Sequence, residues 1–474
     1  MLQRVKPAAF QAKEILQHPA VLLGMVLLGS WAGAMLPQGQ GLFAACAALY
    51  LLLIQMAALP FAILAVYFGL QRMASTSHAW RRVAAVLALS LPAMLLCALV
   101  GALAAAVGGA GGHMTPQEAD AFGRLTLRFE HGLAMARHGA DAPAAWSWDA
   151  GAPMPDNLFA VLVQGSMPAI LVGVLCCAAA MAAQGPDAAR SLGAILEGAY
   201  RALESLVHRF NYYLPVTAFM LAATATAEAG VDVIVLLRGF LSSFLAGALA
   251  VGALAIGLIA WRLETSPLKV ATALREPIAV CLFSPLAAGA VPGLIAGMSE
   301  RLGYSRGLVE LCGPIAPVFF RAGEAMFFAV LAMFAAHLYR APLDAATVAW
   351  ICGLSFVAAL LSIGMPGARP VVLGGFVLDK LGLPMEAVLP VFMLVEVLCE
   401  GARNLLSLLI SSALIALVAE GLYINQAQDI PHMPLETIRF VFSRRQLVAI
   451  SILICVALAG MFSAGVGFGL HKTI

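Results

Sequence analysis

Residues 240–261, FLSSFLAGALAVGALAIGLIAW, run for 22 positions without a charged side chain. A helix of that length crosses the roughly 30 Å hydrocarbon core of a bilayer. A second such run, LVAISILICVALAGMFSAGVGFGL, occupies 447–470. Of the 474 residues, 62% are hydrophobic and 11% charged, which leaves too few polar side chains to cover a water-soluble surface. The expected class is therefore an all-α polytopic membrane protein. A closed barrel is excluded, because its strands would alternate over short segments instead of staying continuously apolar.

The cysteines, Cys46, Cys97, Cys176, Cys177, Cys281, Cys312, Cys352, Cys399 and Cys455, all lie in apolar runs, so neither a disulfide framework nor a zinc site is expected. The formal charge of +2 is too close to neutral to suggest a nucleic-acid partner. The first apolar run, from about Pro19, follows a charged amphiphilic start and reads as a first spanning helix, not as a cleavable signal.

Basic residues cluster in alternate connections: Arg4, Lys6 and Lys13; Arg72, Arg81 and Arg82; Arg190, Arg201 and Arg209; Arg262, Lys269 and Arg275; Arg301 and Arg306; Arg439, Arg444 and Arg445. The positive-inside rule makes these segments cytoplasmic, the N-terminus included. The opposite side holds a PQGQG turn and a long polar loop from about Gly109 to Pro155, whose length exempts it from the charge rule.

Two apolar segments are broken. EPIAVCLFSPLAAGAVPGLIAGMSE starts and ends beside cytoplasmic basic residues, as a re-entrant hairpin does. TVAWICGLSFVAALLSIGMPGARPVVLGGFVLDKLGLP is interrupted by GMPGARP near its middle and enters from the opposite face. Each break could be a kink filled by neighbouring helices, yet two of them, each followed by a polar spanning helix, point to a transporter binding site. A broken helix offers unpaired N–H groups and a partial positive charge at a depth where only a ligand or protein can meet them.

The order of these features resembles the dicarboxylate/amino acid:cation symporters, the glutamate transporter family, from about residue 20 to 420. Gln55, Met56 and Pro60 are similar to its second helix, PDNLFAVLVQG to the Pro-x-Asn start of its fourth, and YYLPVTAFMLAA to its fifth. LAAGAVP stands at the first hairpin tip and GPIAPVFFRAGEAMF at the seventh helix, whose family core is Asn-Met-Asp-Gly-Thr. GMPGARP and LGLPMEAVLPVFML resemble the second hairpin, and EVLCEGARNLLSLLIS the eighth helix.

The resemblance implies a glutamate-transporter-like fold with eight spanning helices and two re-entrant hairpins, with one extra C-terminal spanning helix beyond the family pattern. It implies a homotrimer in a plasma membrane, the bacterial inner membrane, with the C-terminus periplasmic. A scaffold domain would comprise residues 15–75 and 150–230, and a mobile transport domain 80–110 and 231–420, leaving 421–474 as a cytoplasmic linker and the extra span.

Charges at membrane depth cost at least about 2.5 kcal/mol each, which makes them functional candidates. Glu400 and Arg403 are three apart and share a helical face, as do Arg321 and Glu324, and either pair could simply neutralise itself. The resemblance gives Arg403 the family role of clamping a substrate carboxylate, a task suited to its planar fork. Glu400 stands where the family has the aspartate that receives a substrate amine, Asn404 beside the clamp, and Arg369 at the second hairpin tip. Arg403, Glu400, Asn404, Arg369, Ser407 and Arg321 are thus the expected substrate-binding set.

At the family's sodium-binding positions this chain has Phe320, Ala322, Glu324, Ser407 and Ser411, with Arg321 among them, and Leu286, Ala287 and Ala288 replace the hairpin serines. A hard cation needs converging oxygens, so no metal site is expected and the sodium sites read as degraded. Any coupling ion that remains would be a proton, for which Glu324, Glu396 and Glu400 are candidates. The expected function is secondary active transport, or exchange, of a small organic anion by an elevator mechanism, without an enzymatic step or cofactor. Its expected partners are that substrate, membrane lipid and further copies of the chain. The alternatives are a non-transporting sensor or scaffold that keeps the fold, and a channel.

Overall fold

The computed structural model describes residues 19–74, 79–112, 118, 120–124, 170, 173–174, 176–177, 180, 186–229, 233, 236–284, 287–363 and 369–419, and every regular element among them is helical. The long polar loop beyond Arg124, the start of the fourth helix around Asn157, the tip glycine and proline of GMPGARP, and the linker with the extra span lie outside these residues. The description below concerns the unit Met1–Ile424.

Helices α1 (Pro19–Met35) and α5 (Leu214–Ala229) pack with touching backbones. Gly29 and Gly33 fall one turn apart on α1, and a Cβ added to them would lie 2.2 Å from the carbonyl oxygens of Phe219 and Ala223. Small residues four apart are the usual means of bringing helices together in lipid, where apolar burial supplies no driving force. Gly33→Val is therefore expected to separate α1 from α5 and cost about 1–3 kcal/mol, read as a lower thermal midpoint in detergent. Gly24→Val, which meets open space, leaves that midpoint unchanged.

Helix α2 (Gln40–Ala74) carries Pro60 and lies between α5 and the amphipathic α4 (Pro186–Phe210). Tyr200 of α4 stacks on Phe61 at 4.9 Å and meets Phe68 edge-on at 5.6 Å. The outer face of α4 holds an exposed Arg201–Glu197 pair at 2.6 Å. Helices α3 (Ala79–Gly108) and α6 (Arg238–Arg262) are apolar between their basic ends, Arg81 and Arg82 on α3 and Arg238 and Arg262 on α6, and pack on each other.

The first broken segment forms a hairpin. Helices α7 (Pro267–Ala273) and α8 (Arg275–Phe283) lead to an extended residue at Ser284, and the chain returns through Ala287–Ala290, α9 (Val291–Ile295) and a π turn at Ala296–Arg301. The arms run antiparallel: Gly293 faces Glu276, Gly297 faces Ala273, and Arg301 donates to the Ala273 carbonyl at 2.8 Å. In the second segment α12 (Ala345–Leu361), capped by Asp344 on the Thr347 N–H at 2.9 Å, packs against α13 (Arg369–Lys380).

Two features depart from expectation. The seventh helix is split into α10 (Arg306–Phe319) and α11 (Ala322–Leu338), with the break at Phe320 and Arg321. The segment MEAVLPVFML belongs to the eighth helix and not to the second hairpin: after a turn at Gly382, whose φ is +68°, α14 runs unbroken from Met385 to Val418. Among the described residues four helices are long and apolar enough to cross a membrane alone, within α2, α3, α6 and α14. The apolar parts of α1, α11 and α12 are shorter. The count of four is of the described residues alone, and the stretch read as the fourth helix lies mostly outside them.

Candidate functional site

The split in the seventh helix creates the site. At the start of α11 the first N–H groups have no intrahelical partner. One of them, that of Gly323, donates to Ser407 Oγ of α14 at 3.3 Å, and Ser407 in turn donates to the Arg403 carbonyl at 3.1 Å. Only glycine permits this approach, since a Cβ at 323 would sit 2.2 Å from the Arg403 oxygen. The first turn of α11 thus rests directly on α14 at Arg403. Glu324, in that turn, is favoured by the positive end of the helix dipole.

Arg403 is 1% exposed, and both of its terminal nitrogens are engaged within the protein. Nη1 donates to Glu324 Oε2 at 2.8 Å and Nη2 to Glu396 Oε1. The guanidinium lies over the Phe327 ring, 4.8 Å from its centroid, where the ring face attracts a cation. Behind Phe327, Phe240 and Phe244 of α6, Phe334 of α11 and Phe392 of α14 pack largely edge to face and exclude water from this side. Arg321 pairs with Glu324 Oε1 at 3.6 Å and donates to the Ser362 carbonyl at 3.3 Å.

Glu400 is half-buried, within electrostatic range of Glu396, Arg403, Glu324 and Arg321. No hydrogen bond or ion pair holds it among the described residues. The cluster therefore sets two guanidinium groups against three carboxylates, a formal surplus of one negative charge when all are ionised.

The sequence-derived set is only partly reunited. The Arg321–Glu324 pair forms as its spacing indicates. Arg403, by contrast, ignores Glu400 one turn away and takes Glu396 two turns back together with Glu324 of another helix. Ser407, one of the expected substrate-binding residues, is 5% exposed, and its hydroxyl is engaged with backbone groups of both helices. Asn404 is half-buried beside Arg403 and already engaged. Arg369 begins α13, and its side chain lies outside the description. The residues Gly323, Phe327 and Ser362 were missed. A glycine following two prolines, in PIAPVFFRAG, was the available sign of the helix break; the ring under Arg403 left no sign within an apolar helix.

The profile of the sodium:dicarboxylate symporter family matches residues 18–421. The chain belongs to that family. No curated protein matches it. As a member of the sodium:dicarboxylate symporter family it is an integral membrane protein and a secondary transporter of dicarboxylates or amino acids, not an enzyme. The family match includes all five charged residues of the cluster.

Proposed function

We propose that this protein moves a small organic anion, a dicarboxylate or an acidic amino acid, by an elevator mechanism coupled to protons instead of sodium. The observation that carries this reading is the double engagement of the buried Arg403 by Glu324 and Glu396. A carboxylate arriving at Arg403 has to displace one of these acids. A displaced, ionised carboxylate at that depth is strongly unfavourable, so it takes up a proton. Substrate and proton therefore enter together, with Glu396 or Glu324 as the carrier and Glu400 as the acid open to a substrate amine.

The positions that hold sodium in the family support the same choice. Phe320 and Ala322 are buried and offer no side-chain oxygen, and the Ser411 hydroxyl donates to the Leu408 carbonyl of its own helix. We assign α1, α2, α4 and α5 to a scaffold domain and α3 with α6 to α14 to the transport domain, in a homotrimer of the bacterial inner membrane with a cytoplasmic N-terminus and a periplasmic C-terminus.

Uptake by proteoliposomes tests the coupling. With sodium absent, an inwardly directed proton gradient is expected to drive accumulation of a labelled dicarboxylate or acidic amino acid. Glu324→Gln combined with Glu396→Gln, which leaves neither carrier a proton to exchange, is expected to keep substrate exchange but lose the response to the gradient. Uptake that stops whenever sodium is omitted and ignores pH would refute the proposal.

A further inference from the structure

Away from the Arg403 cluster, the first hairpin and α10 meet α2 and α4 through a second set of polar contacts. His208 Nδ1 of α4 lies 2.7 Å from Glu276 Oε1 of α8. The Tyr200 hydroxyl donates to Glu310 Oε1 of α10 at 3.2 Å. Just beyond the end of α4, Asn211 Nδ2 donates to the Gly289 carbonyl near the hairpin tip at 3.3 Å. Three residues within 12 positions of the chain thus touch the hairpin tip, its first arm and the helix that follows it.

The two carboxylates at these contacts are deeply buried, Glu276 4% and Glu310 0% exposed. Each also has a cationic neighbour in its own part of the chain. Arg306 Nε donates to Glu310 at 2.7 Å, and Arg301 lies 3.8 Å from Glu276. Withdrawal of α4 would therefore remove one hydrogen bond from each acid without leaving either charge alone, in contrast to the loss of Arg403 from its cluster.

The packing between the same elements is close. Gly69 of α2 lies against the α10 backbone, where a Cβ would be 2.4 Å from the Leu311 nitrogen, and Ile54 of α2 is fully buried beneath Gly289. The hairpin is tied instead to α14, where Gly401 meets the Leu282 carbonyl backbone to backbone. The second hairpin packs chiefly on α3, α11 and α14.

We infer that Tyr200, His208 and Asn211 form a latch that holds the first hairpin and α10 against α2 and α4 in the state seen here and releases whenever the transport domain moves. The latch rests on the two-domain transporter reading above. It places the energetic control of that movement in α4, remote from the substrate.

Accessibility of a thiol at position 54 tests it. Ile54→Cys is covered by the hairpin in the latched state and uncovered when the hairpin leaves. Its alkylation by a water-soluble maleimide, in which the thiolate sulfur adds to the double bond, is followed residue by residue by mass spectrometry on the full-length protein in nanodiscs. Adding Tyr200→Phe and His208→Leu is expected to accelerate labelling at 54 about tenfold or more, the scale of a lost hydrogen bond to a charged group. Tyr200→Phe alone, which removes only a hydroxyl, should give a smaller acceleration, and Arg201→Gln on the outer face none. An unchanged rate at 54 would overturn the latch, as would an equal acceleration at the buried Cys97 of α3, the sign of general unfolding. Selective acceleration at 54 in a protein that shows no substrate flux would keep the latch and remove the transport proposal.

Discussion

Arg403→Ala is expected to abolish substrate-driven uptake and to lower the stability of the folded protein by about 3–5 kcal/mol, the range for removing one partner from a buried ion pair. The size follows from what remains. Glu324 and Glu396 would lose the donor that both share, with Glu396 1% exposed. The measurements are labelled-substrate uptake in proteoliposomes and the thermal midpoint in detergent. Adding Glu324→Gln and Glu396→Gln to Arg403→Ala should recover much of the midpoint, because neutral amides leave no buried charge behind. It should not recover uptake. A single variant that transported normally would show that Arg403 is a structural cation and not the substrate clamp.

Gly323→Ala is the smallest change with a comparably large expected effect. The added methyl group would lie 2.2 Å from the Arg403 carbonyl oxygen and 2.5 Å from its Cα, both backbone atoms of a long helix that cannot turn aside. Helices α11 and α14 must separate, which lengthens the Gly323 to Ser407 hydrogen bond and moves Glu324 away from Arg403 together. Overpacking of this kind costs about 1–3 kcal/mol in stability. Uptake and substrate-induced thermal stabilisation should both be nearly lost. Gly353→Ala on α12, where nothing lies within 4 Å of the added carbon, serves as the control and should behave as the parent.

Much of this protein could be read before its structure. Apolar runs near the thickness of a bilayer require helices, because a backbone in lipid has no other way to satisfy its hydrogen bonds. The break in SPLAAGAVPG marked a hairpin, and the two arms run antiparallel, with Pro292 placed in the first turn of α9, where a proline is tolerated. Arg321, Glu324, Glu396, Glu400 and Arg403 stood out because charge is expensive at that depth, and all five gather in one cluster.

The pairing within that cluster was not legible. Helical spacing marks Glu400 as the neighbour of Arg403, but spacing describes one helix and says nothing about what a second helix brings across. The break at Phe320 and Arg321 turns Glu324 toward Arg403, and Gly323 lets the two backbones touch so that the carboxylate reaches the guanidinium at 2.8 Å. Sequence alone therefore determined the solvent this chain folds in, its helical class, its family and which side chains carry the charge. Only the tertiary structure decided which charges neutralise one another and which acid stays open, because that depends on distances between helices that are far apart along the chain.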